Sequence, residues 1–150
     1  MTTFRGRAAA ALAVVLLAAP ITGAQTTPAR DTARFIGTWR LVSETTTGMM
    51  IYDNLGNMAA QVMPNRLRRK YAAAEPTPEE AKDAITGYLA YFGTYTVDEQ
   101  ARIVTHHRKA NINPGQVGDD VVRTYVFESN DRLVLTPAGS TNKIVWERAR

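Results

Sequence analysis

The stretch "YFGTYTVDEQARIVTHHRK", residues 91–109, contains two alternating runs on either side of a polar turn. In the first run, Tyr95 and Val97 fall on one face and the threonines beside them fall on the other. The second run, "ARIVTHHRK", follows the acidic pair Asp98 and Glu99. Because successive residues of a β-strand point to opposite faces, this pattern predicts two strands joined by a turn.

The same period of two recurs on both sides of this stretch. "FIGTWRLVSETTT" alternates from Trp39, and "DVVRTYVFES", "RLVLTP" and "NKIVWER" close the chain. "MMIYDNLGNMAAQVM" is typical of a hairpin, because Asn54, Gly56 and Asn57 tolerate the positive φ angles of tight turns. About eight short strands separated by turn signals favour a mainly β fold, either an antiparallel barrel or a sandwich.

One segment departs from this pattern. In "TPEEAKDAITGYLAYF", Thr77 is suited to the N-cap, Pro78 to the first helical position and Glu80 to the third, which together form a capping box. We therefore predict one short α-helix over about residues 78–91. Its apolar face would carry the residues at helical spacing, which are Ala81, Ala84, Ile85, Tyr88 and Leu89.

The first 24 residues have the three-part order of a secretory signal. A basic start, "MTTFRGR", precedes the apolar run "AAAALAVVLLAAP", and "ITGA" offers small residues for cleavage after Ala24. The apolar run is short for a membrane span, although an uncleaved anchor is the alternative. We predict a signal peptide at 1–24, a flexible leader at 25–34, a folded domain at 35–150, and a secreted or periplasmic location.

Charge and cysteine content exclude several classes of function. The chain carries 18 basic and 14 acidic residues, a net +4, and the signal holds two of the positive charges, so the mature net charge is 16 − 14 = +2. This near balance argues against a nucleic-acid partner. The cluster "RLRRK", residues 66–70, reads as a solvated loop, with a phosphate or membrane contact as the alternative. The absence of cysteine excludes disulfides, thiolate metal sites and a cysteine nucleophile.

Several segments, in this order and spacing, resemble the lipocalin-like domain family of small, mostly bacterial proteins. They are "GTWRLVS", "YDNLGNM", "YFGTYTVDE", "THH", "VRTYVF", "LVLT" and "WER", and the resemblance extends over roughly residues 35–148. The resemblance implies a single antiparallel barrel closed around a cavity. Gly37, Thr38 and Trp39 are similar to the Gly-x-Trp signature of lipocalins, which implies that Trp39 lies at the closed end. Arg148 is then the matching basic residue that packs across it as a structural closure.

The adjacent histidines, His106 and His107, are the two histidines of the chain. Neighbouring strand residues point to opposite faces, so they cannot jointly hold one metal ion from a regular strand. With no cysteine and no spaced histidine pair, we expect neither a metal site nor a cofactor. The residues leave open which histidine faces inward, and the resemblance favours His106.

The predicted interior contains polar groups. Arg123 lies on the same face as Tyr125 and Phe127, where a charge needs either a partner such as Glu44 or a wet cavity. The alternative is that the polar side chains only satisfy one another. Our candidates for ligand binding in an apolar-walled pocket are Tyr52, Tyr95, His106, Arg123 and Tyr125.

Three functions remain open from the sequence. The first is an exported lipocalin-like protein that binds a small hydrophobic or amphipathic ligand, with an acidic or carbonyl group facing Arg123 and His106, and without stable membrane insertion after signal cleavage. The second is an isomerase or cyclase, with His106 as general base and Arg123 steadying an oxyanion. The third is a non-catalytic structural or interaction module that uses the helix or the basic loop. We favour the first, a binding protein rather than an enzyme, and the sequence leaves catalysis open as the alternative.

Overall fold

The computed structural model describes residues 30–150, so the predicted signal and residues 25–29 of the predicted leader lie outside the described part. The fold is a closed barrel of eight antiparallel strands, which confirms the predicted mainly β barrel. The strands are β1 (Gly37–Leu41), β2 (Thr46–Tyr52), β3 (Asn57–Pro64), β4 (Leu89–Asp98), β5 (Ile103–Asn111), β6 (Asp120–Ser129), β7 (Arg132–Pro137) and β8 (Ile144–Arg148). The helices are α1 (Asp31–Phe35) and α2 (Pro78–Ile85), with a short 3-10 helix at Pro114–Gln116.

Each strand pairs with the next one in the chain, and β8 returns to pair with β1. The period of two therefore sorts the side chains around the whole barrel, with alternate residues facing the interior. On β1, Trp39 is fully buried while Arg40 is exposed, and on β6 Arg123 and Tyr125 are buried while Thr124 is exposed. The core is thus the set of inward residues that the sequence alternation indicates.

The β2–β3 hairpin has the turn chemistry that its sequence predicts. The Asp53 carboxylate accepts from the backbone N–H groups of Leu55 at 2.9 Å and Asn57 at 2.7 Å. Gly56 has φ +85°, a value that glycine adopts without steric cost. This turn fixes the register that sets Met50 opposite Ala60 and Tyr52 opposite Met58.

The α1 helix corrects the predicted leader. We expected residues 25–34 to be flexible and structure to begin at Phe35, but Asp31–Phe35 form a helical turn at one end of the barrel. The reason is burial of Phe35, which is fully enclosed and packs at 5.0–5.3 Å from the rings of Tyr52, Tyr125 and Phe127. Five residues with a single large apolar side chain give no periodicity from which to predict so short a helix.

The closed end is held by Arg148 and Trp39. The Arg148 guanidinium lies 4.3 Å from the indole centroid and donates hydrogen bonds of 2.8 Å to the carbonyls of Arg34 and Ile36. The Trp39 Nε1–H donates to the Phe35 carbonyl at 2.7 Å. The pair therefore ties α1 to the seam where β1 meets β8, which is the arrangement that the family resemblance implies.

The α2 helix begins as predicted but is shorter. Thr77 and Glu80 form the capping box, with the Glu80 N–H donating to the Thr77 hydroxyl and the Thr77 N–H donating to the Glu80 carboxylate. The predicted extension to residue 91 is wrong, because the helix ends at Ile85 and Gly87 adopts φ +75° just beyond. No α2 residue is fully buried, so Ala81, Ala84 and Ile85 do not form part of the core. Leu89, also assigned to that face, lies on β4 and packs against the core.

The basic cluster at residues 66–70 packs against α2. Arg66 forms an ion pair of 3.0 Å with Asp83, and Arg68 donates to the carbonyl of Ala84. The loop is thus tied back to the helix through two of its four basic side chains, and the remaining two are exposed. Neither α1 nor α2 has the length and apolar character that a membrane-crossing helix needs.

A close approach of backbones joins β4 and β5. A Cβ at Gly93 would lie 1.9 Å from the His107 carbonyl oxygen, so only glycine fits there. The register shifts at this point, with Phe92 opposite Ala110 and Gly93 opposite Arg108. This bulge leaves one residue of β5 unpaired and bends the strand near its C-terminal end.

The closure predicts a large effect of one substitution. Arg148→Met keeps an unbranched side chain but removes the stacked charge and the hydrogen bonds to the α1 carbonyls. We expect unfolding free energy to fall by about 2–4 kcal/mol, measured by equilibrium chemical denaturation. Arg150 is the control, because its side chain is 88% exposed and Arg150→Met should change stability by less than about 0.5 kcal/mol. Equal effects of the two substitutions would contradict the closure role.

Candidate functional site

A cavity of about 320 Å³ occupies the barrel end opposite α1. Its rim includes the segments just after β1 and just before β8, where Ser43 and Lys143 lie. Apolar side chains form most of the wall, and the polar groups His106, Arg123 and Tyr91 interrupt it. The apolar members include Leu41, Met50, Ala60, Val62, Leu89, Leu135, Ile144 and Trp146. An apolar wall with few convergent polar groups is the usual composition of a small-molecule site.

His106 is the buried centre of the polar group. Strand alternation turns it inward, where it is fully buried. Its Nε2 lies 2.7 Å from the Tyr52 hydroxyl, and its Nδ1 lies 2.8 Å from the Tyr91 hydroxyl. The Arg123 Nη1 also lies 3.2 Å from Nδ1. Because arginine can only donate, Nδ1 must carry the lone pair, which assigns the proton of the ring to Nε2.

The surroundings hold His106 in its neutral form. Burial lowers the pKa of His106 well below 6.5, and the nearby positive charges of Arg123 and Arg108 lower it further. Burial also raises the pKa of Tyr52 and of Tyr91 above 10, so both hydroxyls keep their protons. The group therefore consists of a neutral imidazole held between two neutral phenols.

Arg123 has no carboxylate partner in the part of the chain that the structure describes. It is 8% exposed, and none of the ion pairs within residues 30–150 includes it. Glu44, which the sequence offered as its partner, is exposed and forms no ion pair there. A second guanidinium, that of Arg108, lies 4.9 Å from the Tyr91 ring and donates to Gln116 at 3.1 Å. Among the described residues, the cavity wall therefore carries the positive charge of Arg123 without a carboxylate beside it.

The five residues predicted for ligand binding separate into two groups. His106 and Arg123 contribute to the cavity wall, and Tyr52 lies behind His106 as its hydrogen-bond partner. Tyr95 donates to the Asp53 carbonyl at 3.0 Å, and Tyr125 donates to the Asp31 carboxylate at 3.1 Å. The structure does not bring Tyr52, Tyr95 or Tyr125 to the wall, because Phe35 fills the space among them.

The sequence reasoning missed Tyr91. It was assigned to the end of the predicted helix, whereas it lies on β4, is buried, lines the cavity and contacts His106. A signal for it was present, because Leu89, Tyr91, Gly93 and Tyr95 alternate with more exposed residues as a strand requires. The glycine at position 87 marks the end of the helix before this run.

His107 faces the outside of the barrel, as alternation requires once His106 faces inward. Its Nδ1 lies 2.7 Å from Asp120, and its Nε2 lies 3.0 Å from the Thr96 hydroxyl, so it joins β4, β5 and β6. Between residues 30 and 150, no cluster of three histidine, aspartate or glutamate side chains is positioned to hold a metal ion.

Comparison with known proteins yields one family match. A family model described as a lipocalin-like domain matches residues 36–149, which is most of the chain. The match covers all eight strands and the helix α2. No curated protein matches the chain.

The neutral state of His106 predicts a pH dependence of stability. In the unfolded chain this histidine binds a proton near pH 6.5, whereas in the folded protein it does so only at a lower pH. Between these two pKa values the unfolded state binds more protons, so stability falls as the pH decreases. The slope approaches about 1.4 kcal/mol per pH unit, and chemical denaturation from about pH 7.5 to about pH 5 measures it.

Two histidine variants isolate this effect. His106→Gln should remove the slope, because glutamine keeps hydrogen-bonding groups for Tyr52 and Tyr91 but does not titrate. His107→Gln is the matched control and should keep it. A wild-type slope that survives in His106→Gln would show that another group carries the pH dependence.

Proposed function

The chain belongs to the lipocalin-like domain family, and from that premise we propose that it binds a small, largely apolar molecule inside its barrel. The observation that carries the proposal is the cavity of about 320 Å³, with its apolar wall and open end. This volume lies at the lower end of the range of about 300–1,000 Å³ typical of small-molecule sites. The ligand we propose is therefore compact.

The contrast between the two ends of the barrel supports this proposal. The α1 end is filled by Phe35 and the aromatic rings around it, with ring centroids about 5 Å apart. At the other end, apolar side chains such as Leu41, Leu135 and Ile144 border an open cavity instead of a filled interior. A barrel that needed only stability would fill both ends, because voids cost packing energy.

The geometry favours binding over catalysis. A general base needs a free lone pair within reach of the substrate. Both ring nitrogens of His106 already have tyrosine partners, at 2.7 and 2.8 Å, and Nε2 carries the proton. Catalysis by His106 would require a substrate to displace Tyr91 from Nδ1, so an isomerase or cyclase receives less support than a binding protein.

We also propose that the protein is exported and acts in a secreted or periplasmic location. The support is the order of basic, apolar and small residues over positions 1–24. A cavity that is open at one end suits a binding protein that collects its ligand from the medium. The absence of cysteine means that such a protein would rely on its core rather than on disulfides.

A cavity-filling substitution tests the binding function. Ala60 is buried and lines the cavity, so Ala60→Leu adds three carbon atoms to the space that the ligand would occupy. N-phenyl-1-naphthylamine is an uncharged probe whose fluorescence rises in an apolar site. We expect the wild-type protein to bind it and Ala60→Leu to weaken binding by about tenfold or more, since overlap with a filled wall costs over 1 kcal/mol.

The neighbouring alanine provides the control. Ala59 lies on the same strand but faces outward, opposite Ile51 and Phe92. Ala59→Leu should leave probe binding unchanged, and thermal unfolding of both variants checks that they are folded. If the wild-type protein gives no fluorescence increase, or if both variants bind equally well, the cavity is not the binding site.

The export proposal predicts a shorter mature protein. Protein isolated from the medium or the cell envelope should have Gln25 as its first residue, which N-terminal sequencing or intact mass measurement will show. A form lacking residues 2–24 should remain in the cytoplasm. Recovery of the full-length chain from the membrane fraction would instead support an uncleaved anchor.

A further inference from the structure

We propose that the ligand is a singly charged organic anion, whose carboxylate pairs with Arg123 and whose apolar body fills the rest of the cavity. This inference rests on the proposed binding function and adds the chemical class of the ligand. It assigns Arg123 as the residue that recognises the charge and Tyr91 as its neighbour in the same subsite.

The first argument is the state of Arg123. A guanidinium that is 8% exposed loses most of its hydration, and such groups are normally paired with an acid. Its side-chain contacts are with neutral groups, namely His106, at 3.2 Å from Nη1 to Nδ1, and the Tyr91 hydroxyl. An imidazole nitrogen supplies one lone pair, whereas the guanidinium has five N–H donors. Most of these donors therefore lack a charged acceptor from the described chain.

The second argument is an excess of donors around the cavity. The Nε1–H of Trp146, a wall residue that is 4% exposed, is buried without an acceptor within residues 30–150. No aspartate or glutamate contributes to the wall, so a charged acceptor would come from the ligand. A carboxylate supplies two oxygens with about four lone-pair positions.

The third argument sets the charge at one. Arg123 is the cation that lines the interior of the cavity, since Lys143 is exposed at the rim and Arg108 lies outside the wall. Guanidinium and carboxylate match in shape and form paired N–H···O bonds. The Tyr91 hydroxyl, which now donates to His106, can turn to donate to the same carboxylate. A doubly charged phosphate would need a second interior cation.

The apolar part of the wall defines the rest of the ligand. Leu41, Val62, Leu89, Leu135 and Ile144 surround the space between Arg123 and the rim. Trp146 adds an aromatic surface, so a flat ring system fits the wall as well as an aliphatic chain does. The ligand class is therefore a compact apolar or aromatic monocarboxylate, with its charged end at the level of His106.

Three probes with the same ring system test this assignment. They are 2-naphthoate, 2-naphthalenemethanol and 2-naphthylmethylammonium, which carry a negative charge, no charge and a positive charge. Isothermal titration calorimetry with the whole mature protein measures their affinities. We expect the naphthoate to bind about ten- to a hundredfold more tightly than the alcohol, as a charge-assisted hydrogen bond allows. The ammonium should bind most weakly.

Variants at position 123 then locate the effect. Arg123→Met should remove the preference for naphthoate over the alcohol, while Arg123→Lys should retain part of it because the charge is kept. Arg40→Met is the control for net charge, since Arg40 is exposed on the outer face of β1, and it should keep the full preference. If Arg123→Met does not fold, the comparison of wild type with Arg123→Lys still tests the assignment, because an unchanged naphthoate preference in Arg123→Lys would contradict paired N–H···O bonds from Arg123.

The outcomes separate this inference from the function on which it rests. Equal binding of the alcohol and the naphthoate to the wild-type protein would overturn the inference and leave the binding function in place. A naphthoate preference that survives in Arg123→Met would overturn the assignment to Arg123. Failure of all three probes and of N-phenyl-1-naphthylamine to bind would overturn the binding function itself.

Discussion

The contact between Arg148 and Trp39 is the interaction on which the rest of the barrel depends. The Arg148 guanidinium lies across the Trp39 indole and donates to the backbone carbonyls of Arg34 and Ile36. It also donates to the carbonyl of Asn130 at 3.3 Å. One side chain thus joins the last strand, the first strand, α1 and the β6–β7 turn. Because β1 and β8 must pair to remove the open edges of the sheet, a clamp at this seam stabilises the closed form.

Closure of the barrel at the α1 end leaves the cavity at the opposite end. The contact between Arg148 and Trp39 holds α1 in place, and α1 carries Phe35 into the core. The aromatic rings around Phe35 then fill the half of the interior next to α1. In the half opposite α1, no described residue fills the interior in this way, and the cavity lies there. His106 lies between the halves, bonded to Tyr52 on the filled side and to Tyr91 on the cavity side. His106 is therefore both a buried member of the core and a residue of the cavity wall.

The sequence predicts the faces of the strands better than it predicts depth within the barrel. Alternation correctly placed Arg123 on the inward face with Tyr125, and turn chemistry correctly located the hairpin at Gly56. Alternation separated His106 from His107, but the choice of His106 as the inward one came from the family resemblance. How far along the axis each side chain lies depends on strand stagger and on Phe35, which no local pattern encodes. Tyr95 therefore lies in the filled half, while Tyr91, hidden by a helical pattern that continued past Gly87, lies on the cavity wall.

The two inward guanidiniums, Arg148 and Arg123, show why burial of a charge does not by itself mean structural support. Arg148 has carbonyl acceptors for its donors and part of its surface in water, so its cost of desolvation is offset locally. Arg123 is more deeply buried and contacts a neutral imidazole, which does not offset the cost of removing the guanidinium from water. An apolar residue at position 123 would avoid this cost and still fill the space. The unpaired charge is the feature that motivates the proposed role of Arg123 in recognising an anionic ligand.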